Sequence, residues 1–161
     1  MKQTRREFIR STAVGTTVLS ASSRARLMGA NDRINVGMIG VGGMGSGHLN
    51  ALLKNADDYK CNVLAVCDLY RRRVNRAREL CRGEAHMDYR ELLDKNDVDA
   101  VFIATPDHWH SKISIEALAA GKHVYCEKPM TLTIDQAFEV REAVRKHGKI
   151  FQVGQRVGMG K

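Results

Sequence analysis

Three glycines, one aspartate and two polar turns are the residues of this chain whose types and spacing can do chemistry. Gly40, Gly42 and Gly45 stand in GVGGMG, with Gly43 and Met44 between them, directly after the apolar run INVGMI and at the mouth of a helix-patterned segment. Placed so, GxGxxG gives a tight turn at Gly40, close approach of the backbone to an anion at Gly42, and close seating of the helix on the sheet at Gly45. The helix N-terminus presents unpaired N–H groups and a partial positive charge to a phosphate. Asp68 closes the next apolar run, 23 residues beyond Gly45. A carboxylate there accepts from both hydroxyls of an adenosine ribose and repels a 2′-phosphate. The pair points to a dinucleotide, NAD in preference to NADP. Arg71, Arg72 and Arg73 follow and leave NADP open: one of them can swing toward a 2′-phosphate, although three successive arginines fan out around a helix as a solvated surface.

Thr105, Pro106, Asp107, His108, Trp109 and His110 follow the uninterrupted apolar run AVFIA, at the carboxyl edge where open α/β sheets bind ligands. Thr105, Pro106 and His110 are candidates for a cofactor wall. The alternative for His110 is a helix-start residue satisfied by backbone, and Trp109 can equally cover core. Glu127, Lys128 and Pro129 close the next strand at the same edge, the proline fixing the turn. Lys128 then stands toward the nicotinamide end of the cleft; the plainer alternative is an exposed lysine beside a structural glutamate. Cys61, Cys67, Cys81 and Cys126 show neither a CxxC pair nor zinc spacing, and read as small core hydrophobes. No metal site is expected.

The elements that must position these groups alternate along the chain. Strands are expected at 34–39, 62–67, around 85–86, 100–104, 123–126 and 150–153. Helices are expected at 45–54, 70–81 with Val74, Ala77 and Cys81 inward, 89–93, 111–120 with Ile113, Ala117 and Ala120 inward, and a last one with Ile134, Ala137, Val140 and Val144 inward. Thr133 and Gln136 have the spacing of a capping box, and Gly148 ends that helix. This rhythm predicts an α/β fold with a doubly wound, mostly parallel sheet, Rossmann-like.

Composition narrows the rest. At 161 residues, 43% apolar and 27% charged, the chain has room for one ordinary domain, and no stretch has the run of about 18 apolar residues that a spanning helix needs. The net charge of +8 is concentrated at the front, because residues 1–33 hold seven of the 26 basic and two of the 18 acidic residues. The remainder carries +3, which argues against a nucleic-acid partner. Thr4, Arg5, Arg6, Glu7, Phe8, Ile9 and Arg10 precede a mildly apolar run over 11–22. Residues 1–33 therefore resemble a twin-arginine signal that directs a bacterial protein to the periplasm, without stable membrane insertion. Export of a folded protein suits a domain that captures its dinucleotide before leaving the cytoplasm.

Taken together, GVGGMG, Asp68, TPDHWH, EKP and the VGQR at 153–156 resemble the Gfo/Idh/MocA oxidoreductase family, named for glucose-fructose oxidoreductase and inositol dehydrogenase. The resemblance implies a dinucleotide-binding Rossmann domain over 34–154 and hydride transfer at a secondary alcohol of a sugar or polyol. It further implies that Lys128 helps move the hydroxyl proton, that Glu127 helps position cofactor and lysine, and that Thr105, Pro106 and His110 border the nicotinamide. Members of the family continue into a second α/β domain that contacts the sugar and forms the oligomer interface. Residues 155–161 are expected to be its start, so that this chain is a cofactor half with the second domain missing. Two other readings stay open: a glycosidase that oxidises its sugar transiently with tightly held NAD, and a dinucleotide-binding module without catalysis.

Overall fold

The computed structural model describes residues 33–154, so the leader over 1–33, apart from Arg33, and the end of VGQR lie outside the described residues. Six strands, β1 (Ile34–Ile39), β2 (Cys61–Cys67), β3 (Glu84–His86), β4 (Ala100–Ile103), β5 (His123–Glu127) and β6 (Phe151–Gly154), form one sheet in the order β3-β2-β1-β4-β5-β6. Every neighbouring pair is parallel. Between them run α1 (Gly43–Lys54), α2 (Arg71–Cys81), α3 (Tyr89–Leu93), a 3-10 turn (Asp107–Trp109), α4 (His110–Ala119) and α5 (Ile134–His147). The strand order reverses between β1 and β4, and such a switch point opens a crevice at the carboxyl ends of the strands.

Side chains alternate across a strand, and this divides the interior into two cores. Met38 packs with Val36, Leu49, Val66 and Val74 on the side of α1 and α2. Ile39 packs with Val101, Ile103, Ile113 and Leu118 on the other side, with α4. Met38 and Ile39 are both fully buried, so β1 is covered on both faces, as a central parallel strand must be. Lys122 is buried too; its ammonium donates to the carbonyl of Val98 at 2.9 Å, and burial pushes its pKa down.

Four expected details of the helices differ. Helix α1 starts at Gly43 because Gly42, in extended conformation, is its N-cap, and the Ser46 N–H already donates to the Gly42 carbonyl. Ala120 is exposed, since α4 ends one residue before it. In α5 the buried residues are Val140 and Ala143, whereas Ile134 is 75% exposed: at about 100° per residue it lies some 120° around the helix from Val140. The Thr133 hydroxyl does accept from the Gln136 N–H, but the Gln136 amide oxygen accepts from Leu132, one residue short of a reciprocal box.

Candidate functional site

Gly40 follows β1 with φ +87°, in the region that glycine enters without strain. A Cβ there would stand 2.6 Å from the Ala104 carbonyl oxygen, and one at Gly45 would overlap the Gly40 carbonyl. The exits of β1 and β4 and the first turn of α1 therefore meet backbone to backbone. The α1 N-terminus has no side-chain cap and no acid in its first turn, so its N–H groups at Gly43, Met44 and Gly45 are left for an anion. Nothing lies within 4 Å of a Cβ built on Gly43, and at Gly42 the nearest atom is Nη1 of Arg73 at 3.4 Å.

Asp68 does more than its position suggests. Its Oδ2 accepts from the Val41 N–H at 3.0 Å and its Oδ1 from the Tyr70 N–H at 2.8 Å. The carboxylate thus braces the glycine turn against the exit of β2, and each oxygen keeps acceptor capacity for a ligand. Of the three arginines, Arg73 lines the cleft, with its guanidinium 5.4 Å from the centre of the Tyr70 ring.

The cleft has a volume of about 450 Å³ and is walled by Gly40, Gly42, Asp68 and Arg73 on one side and by Thr105, Pro106 and Trp109 on the other. A hollow of similar volume opens where β2 and β3 begin, at the edge opposite the glycine turn. Thr105 supplies a direct test of occupancy by a polar ligand: its Oγ1 is buried with no hydrogen-bond partner. An orphaned hydroxyl costs about 1–3 kcal/mol unless something bonds to it. An uncapped helix end, a cradle that Cβ atoms would fill and an orphaned hydroxyl together fit a dinucleotide. Trp109 both lines the cleft and packs on the core, whereas His108 is exposed.

His110 is placed differently from the cofactor wall expected for it. It is 2% exposed, with Nδ1 2.7 Å from the Pro129 carbonyl and Nε2 2.9 Å from the Thr105 carbonyl. The backbone-satisfied alternative describes it: the ring staples the Thr105 turn to the Lys128 turn. Glu127 is buried, and its Oε2 accepts from the Lys128 N–H at 3.1 Å. Its Oε1 lies 2.6 Å from Nε2 of His48. Lys128 itself is exposed, and its peptide bond to Pro129 is cis. Neither Glu127 nor Lys128 lines the cleft beside Asp68; they form a second station joined to it through His110. Sequence reasoning passed over His48, although a histidine one helical turn beyond Gly45 was there to be noticed.

Burial pushes the Cys67 thiol up to about 12 and the Cys126 thiol up to about 11, far from the thiolate that reaction requires.

This parallel sheet, with a glycine turn at the switch point and an acid closing the next strand, defines a dinucleotide-binding domain. Residues 34–155 match the family described as "Oxidoreductase family, NAD-binding Rossmann fold", and the chain belongs to that family, Gfo/Idh/MocA. It is 35% identical over 124 residues to inositol 2-dehydrogenase of Salmonella typhimurium, spanning 75% of this chain and 36% of the relative. It is 29% identical over 140 residues to alpha-N-acetylgalactosaminidase of Shewanella oneidensis, spanning 80% of this chain and 29% of that protein. Among solved structures, the WlbA dehydrogenase of Chromobacterium violaceum, in complex with NADH and UDP-GlcNAcA, superposes with TM-score 0.73 at 31% identity over 77% of this chain and 35% of its own. KijD10, a 3-ketoreductase from Actinomadura kijaniata in complex with NADP and TDP-benzene, gives TM-score 0.70 at 32% identity, covering 76% and 37%. The chain spans about a third of the length of the relatives it matches. The expected NAD(P)-binding Rossmann domain is what fold and family agree on.

Proposed function

We propose that this chain is the cofactor half of an oxidoreductase that moves a hydride to or from a secondary alcohol of a sugar or polyol, with NAD preferred. The observation that carries the reading is the uncapped α1 N-terminus facing a cleft whose rim is Asp68. The N–H groups of Gly43, Met44 and Gly45 grip the pyrophosphate, Asp68 accepts from the ribose hydroxyls, and Thr105 supplies its free hydroxyl to the ligand. The bound nicotinamide, when present, accepts or gives the hydride. Lys128 holds or releases the hydroxyl proton at its Nζ, and a second domain of the whole protein brings the sugar to it. The inositol in the name of one relative and the UDP-GlcNAcA bound in the structure of another support the substrate class. The relative named as an alpha-N-acetylgalactosaminidase keeps transient sugar oxidation within glycoside cleavage as the second reading. The two part on product: a dehydrogenase accumulates NADH in proportion to substrate, and a transient oxidation releases free sugar with none.

Trp109 is the single tryptophan and lines the cleft, so energy transfer to reduced nicotinamide reports binding. Saturable transfer is expected with NADH, and weaker binding with NADPH. Equal affinity for the two would remove the discrimination assigned to Asp68. We also propose that residues 1–33 export the protein through the twin-arginine pathway, a reading supported by Arg5 and Arg6 ahead of a weakly apolar run. A reporter fused to those residues should reach the periplasm, and changing both arginines to lysine should stop it.

A further inference from the structure

Glu127 is a carboxylate almost wholly removed from water (7% exposed), and such a group must be hydrogen-bonded or paired to stay charged. Its two oxygens are used by two different parts of the cleft. Oε2 takes the N–H of Lys128, and Oε1 meets Nε2 of His48 at 2.6 Å. Among the described residues no other side chain forms an ion pair with it. The His48 ring is itself boxed in, 5.4 Å edge-on to Tyr125 and 5.9 Å from Phe102, whose own rings stack at 4.5 Å. The end of β6 packs on the carboxylate itself: a Cβ on Gly154 would stand 3.1 Å from Oε1 of Glu127. His48 belongs to α1, three residues past Gly45, so the helix whose N-terminus faces the phosphate site also grips the turn that carries Lys128.

Resting on the dinucleotide reading, we propose that His48 is a positioning residue: through Glu127 it fixes the Lys128 turn at a set distance from the glycine turn, and so aligns the nicotinamide half of the site with its phosphate half. His48 touches neither half. Its removal leaves the α1 N-terminus and Asp68 intact and loosens the Glu127 side of the Lys128 turn, with His110 still holding Pro129, a change that a ligand lacking nicotinamide does not sense.

The test is titration of the 161-residue chain with NADH and with ADP, which shares only the adenosine diphosphate. His48→Ala is expected to weaken NADH about tenfold while ADP stays within about twofold, the size of one charged hydrogen bond. His48→Gln, whose amide can still donate to Oε1, is expected to recover NADH to within about threefold of wild type on the same scale. Far-UV circular dichroism follows folding, and His48→Asn, too short to reach Oε1, replaces the alanine variant if that one melts below the assay temperature. Unchanged NADH affinity, equal loss for NADH and ADP, or a glutamine variant as weak as alanine each overturns the assignment. A wild-type chain that retains neither nucleotide instead overturns the dinucleotide reading itself, and the positioning role falls with it.

Discussion

The two stations of the cleft are built from opposite materials. At the glycine turn the contacts are backbone on backbone, and the role of side chains is to be absent: Gly40 and Gly45 let three element ends touch, and Asp68 braces the turn through two N–H groups. At the Lys128 turn the contacts are made by side chains brought from far away, His110 from 19 residues upstream and His48 from 79. A phosphate grip that every dinucleotide shares can be made of peptide groups. A station that must place one proton-carrying side chain needs other side chains to hold it.

This contrast can be broken at its strongest point first. Gly40→Ala places a side chain at positive φ and against the Ala104 carbonyl, and should lower stability by roughly 3 kcal/mol, seen as a large fall in Tm; a melt like that of the wild type would show the turn to be pliable. Asp68→Ala should come next. It removes the ribose acceptor and two backbone bonds, so NADH affinity should drop about thirtyfold, on the scale of hydrogen bonds to a charged group, while NADPH drops less. Lys128→Ala should abolish any dehydrogenase turnover of the protein yet leave NADH affinity within about threefold, because uniform binding and proton movement are separate contributions. Parallel loss of both would make Lys128 a binding residue. The smallest effect belongs to Ile134→Ala, expected within about 0.5 kcal/mol as an exposed substitution, against roughly 2 kcal/mol for buried Val140→Ala; thermal melts of the pair check which face of α5 is packed.

How much of this could be read from the chain follows the same division. The glycine turn, Asp68 and the strand rhythm were legible because their physics is local: GVGGMG follows a strand within one turn of chain, and AVFIA announces a central strand, of which Val101 and Ile103 are buried while Ala100 and Phe102 are only partly so. Cys61, Cys67 and Cys126 were legible as core because nothing in their spacing asked for more, whereas Cys81, expected on the inward stripe of α2, is only partly buried. His110 was legible only as two alternatives, since a histidine after a polar turn can face a ligand or a carbonyl, and the choice is made by Pro129, which the sequence does not place beside it. The pairing of His48 with Glu127 was not legible at all. It depends on α1 packing over the face of the sheet where His48 meets Phe102 of β4 and Tyr125 of β5, a product of tertiary packing. Ile134 misled for a simpler reason: an apolar residue in the first turn of a helix fits a periodic stripe by eye while standing a third of a turn off it.

The central claim is that peptide groups bared at Gly42 hold the dinucleotide, and Gly42→Ala tests it most directly, because the nearest atom to the added methyl is the flexible tip of Arg73 and the fold has room for it. Titration of wild type and variant with NADH, read from Trp109, should show saturable one-site binding by the wild type and affinity about tenfold weaker in the variant, at unchanged Tm, as expected when a close backbone approach is blocked. Equal affinity in the two proteins, or no retention of NADH by the wild type, would contradict it.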